Sequence, residues 1–299
     1  MSGRPRQIET VSYAAPPPFT RHGPAAPVLP VVIAVPHAGK HYSSSIIADA
    51  AVPLSRLRML EDRHADRLVT HLAQRGATIF VAAHARALID LNRDPREIDA
   101  AMIEDSPTDE LLQSSRIRNG LGLIPRHIGG NVPLWRRRFA YREIRRRIDE
   151  IHTPYHQAIA AALVSARERF GTAVLLDCHS MPPIRTHDRA MRAPTVVIGD
   201  RFGRSACGAL GDLVETAVRQ AGFPVARNTP YAGGYSLDRH GAPRKGIHAL
   251  QVEIDRSLYL DSGLGETGEG LPATQALVTM IFDALCEDAQ AIQRPIAAE

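Results

Sequence analysis

Three stretches of this chain place acid, base and ligand side chains where buried strands should stop. Ala173–Ser180, AVLLDCHS, reads as a short apolar strand that gives way to Asp177, His179 and Ser180. Val28–Val35 is continuously apolar and β-branched and runs into Pro36-His37-Ala38-Gly39. Ile247–Ile254 carries Glu253 near its end. In open α/β sheets, ligands bind beyond the carboxyl ends of the strands. A fourth stretch, Glu61 to Leu68, adds Asp62 and Asp66 around His64. Two histidines and a carboxylate are the donor set of a catalytic zinc, and a further carboxylate can take a proton from an attacking water. The set is His37, Asp62 or Asp66, His179 and Glu253. A competing reading leaves each histidine structural and puts Glu253 in an ion pair at the sheet end. No HExxH motif is present.

Strands and helices must position these groups. The leucine spacing predicts a helix over 57–76, closed by Gly76. Strands are expected at 77–83 and 87–91, the second leading into Asp90-Leu91-Asn92-Arg93, with Arg86 just before it. The stretch 96–133 is polar and glycine-bearing, and reads as a lid or substrate loop with Arg126 and His127 as its notable residues. A long helical pattern covers 134–170. Further elements are a strand at 194–199, a helix at 205–222, a short strand near 225–230 and a closing helix over 271–292. The alternation predicts an α/β fold with helices on both faces of a mixed, mainly parallel sheet. Residues 1–27, rich in Pro, Ala and Arg, read as a flexible arm before one domain over 28–299.

Composition narrows the function classes. The chain has 299 residues, 44% of them hydrophobic, and a net charge of +4. Arg136, Arg137, Arg138, Arg142, Arg145, Arg146 and Arg147 invite a nucleic-acid reading. On the helix, however, Glu143/Arg147, Arg145/Asp149 and Arg146/Glu150 are i,i+4 pairs, which describe a solvated, salt-bridged face. No nucleic acid is expected. The three cysteines are far apart and suit a reducing cytoplasm,. No apolar run has the length of a membrane span, and no membrane partner is expected. His152 and His156, also i,i+4, read as surface or packing histidines.

Val35-Pro36-His37-Ala38-Gly39, Leu88-Ile89-Asp90-Leu91-Asn92-Arg93, Asp177-Cys178-His179-Ser180-Met181 and Gln251-Val252-Glu253-Ile254 together resemble the N-formylglutamate amidohydrolase family. Gly120-Leu121-Gly122, Tyr155-His156 and Pro230-Tyr231-Ala232-Gly233-Gly234 add family-like fragments, from about Val28 to Tyr259. The resemblance implies a three-layer αβα, phosphorylase/hydrolase-like domain related to zinc carboxypeptidases and aspartoacylase-type deacylases. It implies Zn²⁺, or another divalent metal, on His37, Asp62 and His179, with Asp66 the reserve ligand. It implies Glu253 as the base that activates water. Arg86, Asn92 and Arg93 would grip substrate, and Arg126 from the 96–133 loop is added to them. The substrate would be a small anionic N-acyl amino acid such as N-formyl-L-glutamate. The alternatives are another deacylase or carboxypeptidase on the same zinc scaffold, or a binding protein using the Arg136–Arg147 helix. The oligomeric state is not legible.

Overall fold

The computed structural model describes residues 15–105, 111–128, 132–185 and 192–291. Its strands in chain order are β1 (Phe19–His22), β2 (Val31–Val35), β3 (Thr78–Ala82), β4 (His127–Ile128), β5 (Val132–Pro133), β6 (Ala173–Met181), β7 (Val196–Gly199), β8 (Val225–Arg227) and β9 (Ile247–Asp255). β4 and β5 pair only with each other, and the other seven form one sheet in the order β1-β3-β2-β6-β9-β7-β8. β3, β2, β6 and β9 run parallel, as do β7 and β8. β1 lies antiparallel to β3, and β7 antiparallel to β9.

The helices are α1 (Ser44–Asp49), α2 (Leu54–Leu57), α3 (Ser115–Arg118), α4 (Tyr141–Arg147), α5 (Thr153–Phe170), α6 (Gly208–Gln220), α7 (Tyr235–His240) and α8 (Leu271–Ala291). A π-helical turn, Ile148–His152, joins α4 to α5. The period of two along each strand divides the core between two faces. Val32, Ala34, Phe80 and Leu175 pack with Tyr155, Ile159 and Leu163 of α5. Val31, Ile33, Ile79 and Leu176 pack with Leu210 and Val214 of α6 and Leu277 and Ile281 of α8. The result is the expected three-layer α/β arrangement around a mixed, mostly parallel sheet. Among the described residues, no helix is long and apolar enough to cross a membrane.

Three expectations need correction. The helix over 57–76 is α2 followed by separate 3₁₀ turns at Arg58–Leu60, Ala65–Leu68 and Thr70–Arg75. Leu57 and Leu60 belong to one core and Leu68 and Leu72 to the other. The segment must therefore pass from one face of the sheet to the other, which a straight helix cannot do. It turns at His64, left-handed at φ 57°. Second, Ala87–Leu91 is not a strand. The antiparallel neighbour of β3 is β1, from the stretch read as a flexible arm, whose Phe19 ring lies edge-on to Phe80 at 5.4 Å. Residues 1–14 of that arm lie outside the described residues. Third, the helix expected from 134 starts at Tyr141. Its Arg145–Asp149 and Arg146–Glu150 pairs form as expected, at 3.5 and 3.8 Å. Arg147 instead donates to the Leu88 carbonyl and lies over the Phe139 ring.

Candidate functional site

At the end of β6, side-chain alternation puts Asp177 and His179 on the α5 side of the sheet, and Cys178 in the apolar core opposite,. Burial pushes the Cys178 thiol well above its usual range, so it stays protonated. The same alternation brings Gln251 and Glu253 of β9 to the α5 side. The parallel register pairs His179 with Glu253 and Asp177 with Gln251. β2 delivers His37 two residues past its last rung. The Asp62 amide donates to the His37 carbonyl at 3.0 Å, which fixes Asp62 beside it.

His37, Asp62 and His179 meet in a buried cluster. His37 Nδ1 and His179 Nδ1 are 3.1 Å apart, and Asp62 Oδ2 lies 3.1 Å from His179 Nδ1 and 3.4 Å from His37 Nδ1. Behind each ring stands a carboxylate: Asp90 is 2.7 Å from His37 Nε2, and Asp177 is 3.0 Å from His179 Nε2. Asp90 and Asp177 each accept from an Nε2, which would let each Nδ1 turn a lone pair to a cation, while a protonated His179 can also donate through Nδ1 to Asp62,. Two nitrogens and one oxygen thus converge on one place, a group that could hold a metal ion. The donor set suits zinc. The site also draws a proton: burial works against a His179 cation, but Asp177, Asp62 and Glu253 outweigh it and hold its pKa well above the usual. Burial likewise opposes the Asp62 carboxylate, yet the bonds to His179 and His37 hold its pKa well below the usual range.

Glu253 is buried and accepts from Gln251 Nε2 at 2.9 Å. Burial, with the Asp62 and Asp177 charges adding to it against His179 and Arg86, pushes its pKa up to about 7. These groups line a cavity of about 420 Å³. A larger one, about 520 Å³, lies beside α1 and α4 and contains none of them.

Arg86, Asn92 and Arg93 also line the site cavity. Arg86 Nε pairs with Asp90 at 2.8 Å; burial disfavours its charge, but Asp90, Asp62 and Glu253 more than restore it. Asn92 Nδ2 lies 3.3 Å from His179 Nε2 and donates to Gln251 Oε1 at 3.3 Å. A Cβ on Gly234 would sit 2.3 Å from Asn92 Oδ1, so only glycine lets the 230–234 loop close over Asn92,. Arg93 donates to the Leu121 and Asn92 carbonyls, and burial pulls its pKa down to about 10.

Of the remaining sequence candidates, the structure does not bring Arg126 to the cavity: it pairs with Asp99 at 3.1 Å. Arg116 and Arg256 reach the cavity instead. Asp66 is turned toward Lys40, at 3.2 Å, so Asp62 is the carboxylate that meets the histidines. His152 and His156 are packing residues, both buried. Each donates through Nε2 to the loop that carries the Asn-Arg pair, His152 to the Arg93 carbonyl at 2.9 Å and His156 to the Leu91 carbonyl at 2.8 Å. Replacing His156 with Ala orphans a buried carbonyl. The expected cost is about 1–3 kcal/mol of stability, read from urea denaturation; an unchanged midpoint would mean the bond contributes nothing.

Sequence reasoning missed the supporting groups. Asp177 was legible, because a residue two before a ligand on a strand shares its face. Asp90 behind His37 was not, because the two lie 53 residues apart. Nor was Arg256, which donates to Asp62 Oδ1 at 3.0 Å from 194 residues away.

The chain matches the family model described as N-formylglutamate amidohydrolase over residues 29–260. It is 28% identical over 262 residues to an N-formylglutamate deformylase of Pseudomonas aeruginosa, covering 86% of this chain and 92% of that one. It is 29% identical over 236 residues to the Pseudomonas putida protein of the same name, covering 78% and 82%. A crystal structure of an N-formylglutamate amidohydrolase from Ralstonia eutropha JMP134 superposes with a TM-score of 0.84 at 34% identity, over 92% of this chain and 99% of that one. A gene product of Agrobacterium tumefaciens shares the fold, with a TM-score of 0.59 at 19% identity. Sequence and fold therefore agree along nearly the whole chain, and it belongs to the N-formylglutamate amidohydrolase family.

Proposed function

We propose that the chain hydrolyses the formyl amide of N-formyl-L-glutamate to formate and L-glutamate, with a divalent metal, zinc, held by His37, Asp62 and His179. The observation that carries this reading is the convergence of those three groups, with His179 paired directly with Glu253 on the neighbouring strand, in a family whose named relatives are deformylases. Bound zinc would supply a Lewis acid for the formyl oxygen and lower the pKa of a water to roughly 7.

The chain's own residues do the rest. Glu253 accepts the proton of the attacking water as the new carbon–oxygen bond forms. As the carbon–nitrogen bond breaks, its electron pair stays on nitrogen, and Glu253 gives the proton to the leaving amine. A carboxylate with a pKa near 7 suits both transfers at neutral pH,. Asp90 and Asp177 hold the imidazoles in the tautomer that presents Nδ1. Arg86 and Asn92, which line the same cavity, would donate to the developing oxyanion, and Arg93 would offer a guanidinium to a substrate carboxylate,.

The test is metal content together with turnover. Purified protein should carry about one zinc per chain, and formate release should stop with a chelator and return on adding zinc. Chelator-resistant turnover would remove the metal from the proposal. Zinc without formate release would remove the substrate, and N-acetyl-L-glutamate and peptide C-termini would then be tried.

A further inference from the structure

The arginines around the site cavity differ in how fully they are engaged. Arg86 is held by Asp90 at 2.8 Å, and Arg256 by Asp62 at 3.0 Å and by Ser180 Oγ at 3.1 Å. Among the described residues, Arg93 and Arg116 have only distant carboxylates, Asp90 at 3.7 Å and Glu97 at 3.8 Å. Burial draws the Arg93 pKa down against the pull of Asp90, and the Arg86 and Arg116 charges add to it. Two cations lining one cavity, neither with a carboxylate nearer than 3.7 Å among the described residues, leave a place for anionic groups on a ligand.

Burial orders the two arginines, with the Arg93 side chain 9% exposed and that of Arg116 33%. Asn92 touches His179, and Arg93 is the next residue. Arg116 donates to the Gly233 carbonyl at 3.2 Å, on the 230–234 loop. α3 fixes it there, capped by Ser114 Oγ, which accepts from the Ile117 amide at 3.2 Å, and anchored by buried Ile117. In an N-formyl dicarboxylic amino acid, the α-carboxylate hangs on the carbon next to the amide nitrogen. The side-chain carboxylate ends two methylenes further out. Two carboxylates at different depths match two arginines at different depths.

We propose that Arg116 binds the side-chain carboxylate of the substrate, while Arg93 takes the α-carboxylate, so that Arg116 sets the preference for an acidic amino acid. This rests on the deformylase reading above. A planar guanidinium grips a carboxylate with two parallel hydrogen bonds, which a neutral amide cannot reproduce. With its side chain 33% exposed, Arg116 can be approached from the cavity mouth.

The experiment compares N-formyl-L-glutamate with N-formyl-L-glutamine on the zinc-loaded full chain. In Arg116→Met, the ratio of their kcat/KM values should fall about 100-fold, mainly through a higher KM for the glutamate substrate. Arg116→Lys should recover part of that ratio. Equal losses on both substrates, or none on either, would overturn the proposal. Calorimetric binding of glutarate separates this idea from the reading it rests on. If the wild-type chain turns over neither formyl amide, the deformylase reading falls. Glutarate binding that is present in wild type and lost in Arg116→Met then upholds the carboxylate site. Binding equal in both, or absent from both, overturns it.

Discussion

Glu253→Gln is expected to lower kcat by about 10²–10⁴-fold, the usual worth of a positioned general base, while the zinc content stays at the wild-type level. The substitution keeps the shape and the partnership with Gln251, whose amide is 2.9 Å from Glu253 Oε1. It touches none of the three converging acceptors. It also removes a carboxylate whose charged form burial disfavours, so the variant should unfold at or above the wild-type temperature. Lost activity in a protein that is at least as stable, with full metal, separates chemistry from folding. Turnover within a few-fold of wild type would take the base role away from Glu253.

His179→Ala should abolish both metal retention and turnover. The loss goes beyond one ligand, because Asp177 and Asp62 both lean on this ring, at 3.0 and 3.1 Å. Without it Asp177 is a buried carboxylate that has lost its ring partner, while Asp62 keeps Arg256 at 3.0 Å, and the expected cost is about 3–5 kcal/mol. Should that variant fail to fold, His179→Gln serves, since its amide still donates to a carboxylate yet is a poor zinc ligand. Stoichiometric zinc in either variant would refute the assignment. Asp66→Ala is the matched control, since Asp66 pairs with exposed Lys40. It should keep its metal and its activity within about twofold, as surface substitutions do. Metal lost from Asp66→Ala and kept in Asp62→Ala would reverse the choice between them.

What the sequence revealed of this site follows from physics that is local in the chain. Apolar runs that stop at Pro36, Ser180 and Asp255 mark strand ends, and strand ends are where a parallel sheet presents its chemistry. His37, His179 and Glu253 could be found that way. Local spacing narrowed the carboxylate to Asp62 or Asp66 and only the family resemblance favoured Asp62, because the choice depends on a turn. The periodicity of Leu57, Leu60, Leu68 and Leu72 reports burial correctly, but it does not say that the two pairs are buried on opposite sides of the sheet. Arg126 was named and Arg116 was not, because a polar loop offers no period from which to infer direction. β1 was hidden for a related reason. Four residues flanked by prolines carry little pattern, and only the Phe80 and Tyr155 rings explain why Phe19 docks.

The two histidines that face each other lie 142 residues apart. That separation makes the site a product of late folding events. Closing β2 against β6 spends loop entropy before any hydrogen bond is returned, and parallel pairings of this kind form slowly. Until they form, Val31–Val35 and Ala173–Met181 are bare apolar edges, open to pairing with other chains. A chain still being synthesised would also lack β9, and Glu253 with it, until most of its length had emerged. Hydrolytic competence would then arrive only after the sheet is complete. Slowing the approach of β6 to β2, for example by lengthening the connection between β5 and α4, should delay recovery of activity on refolding more than it lowers final stability.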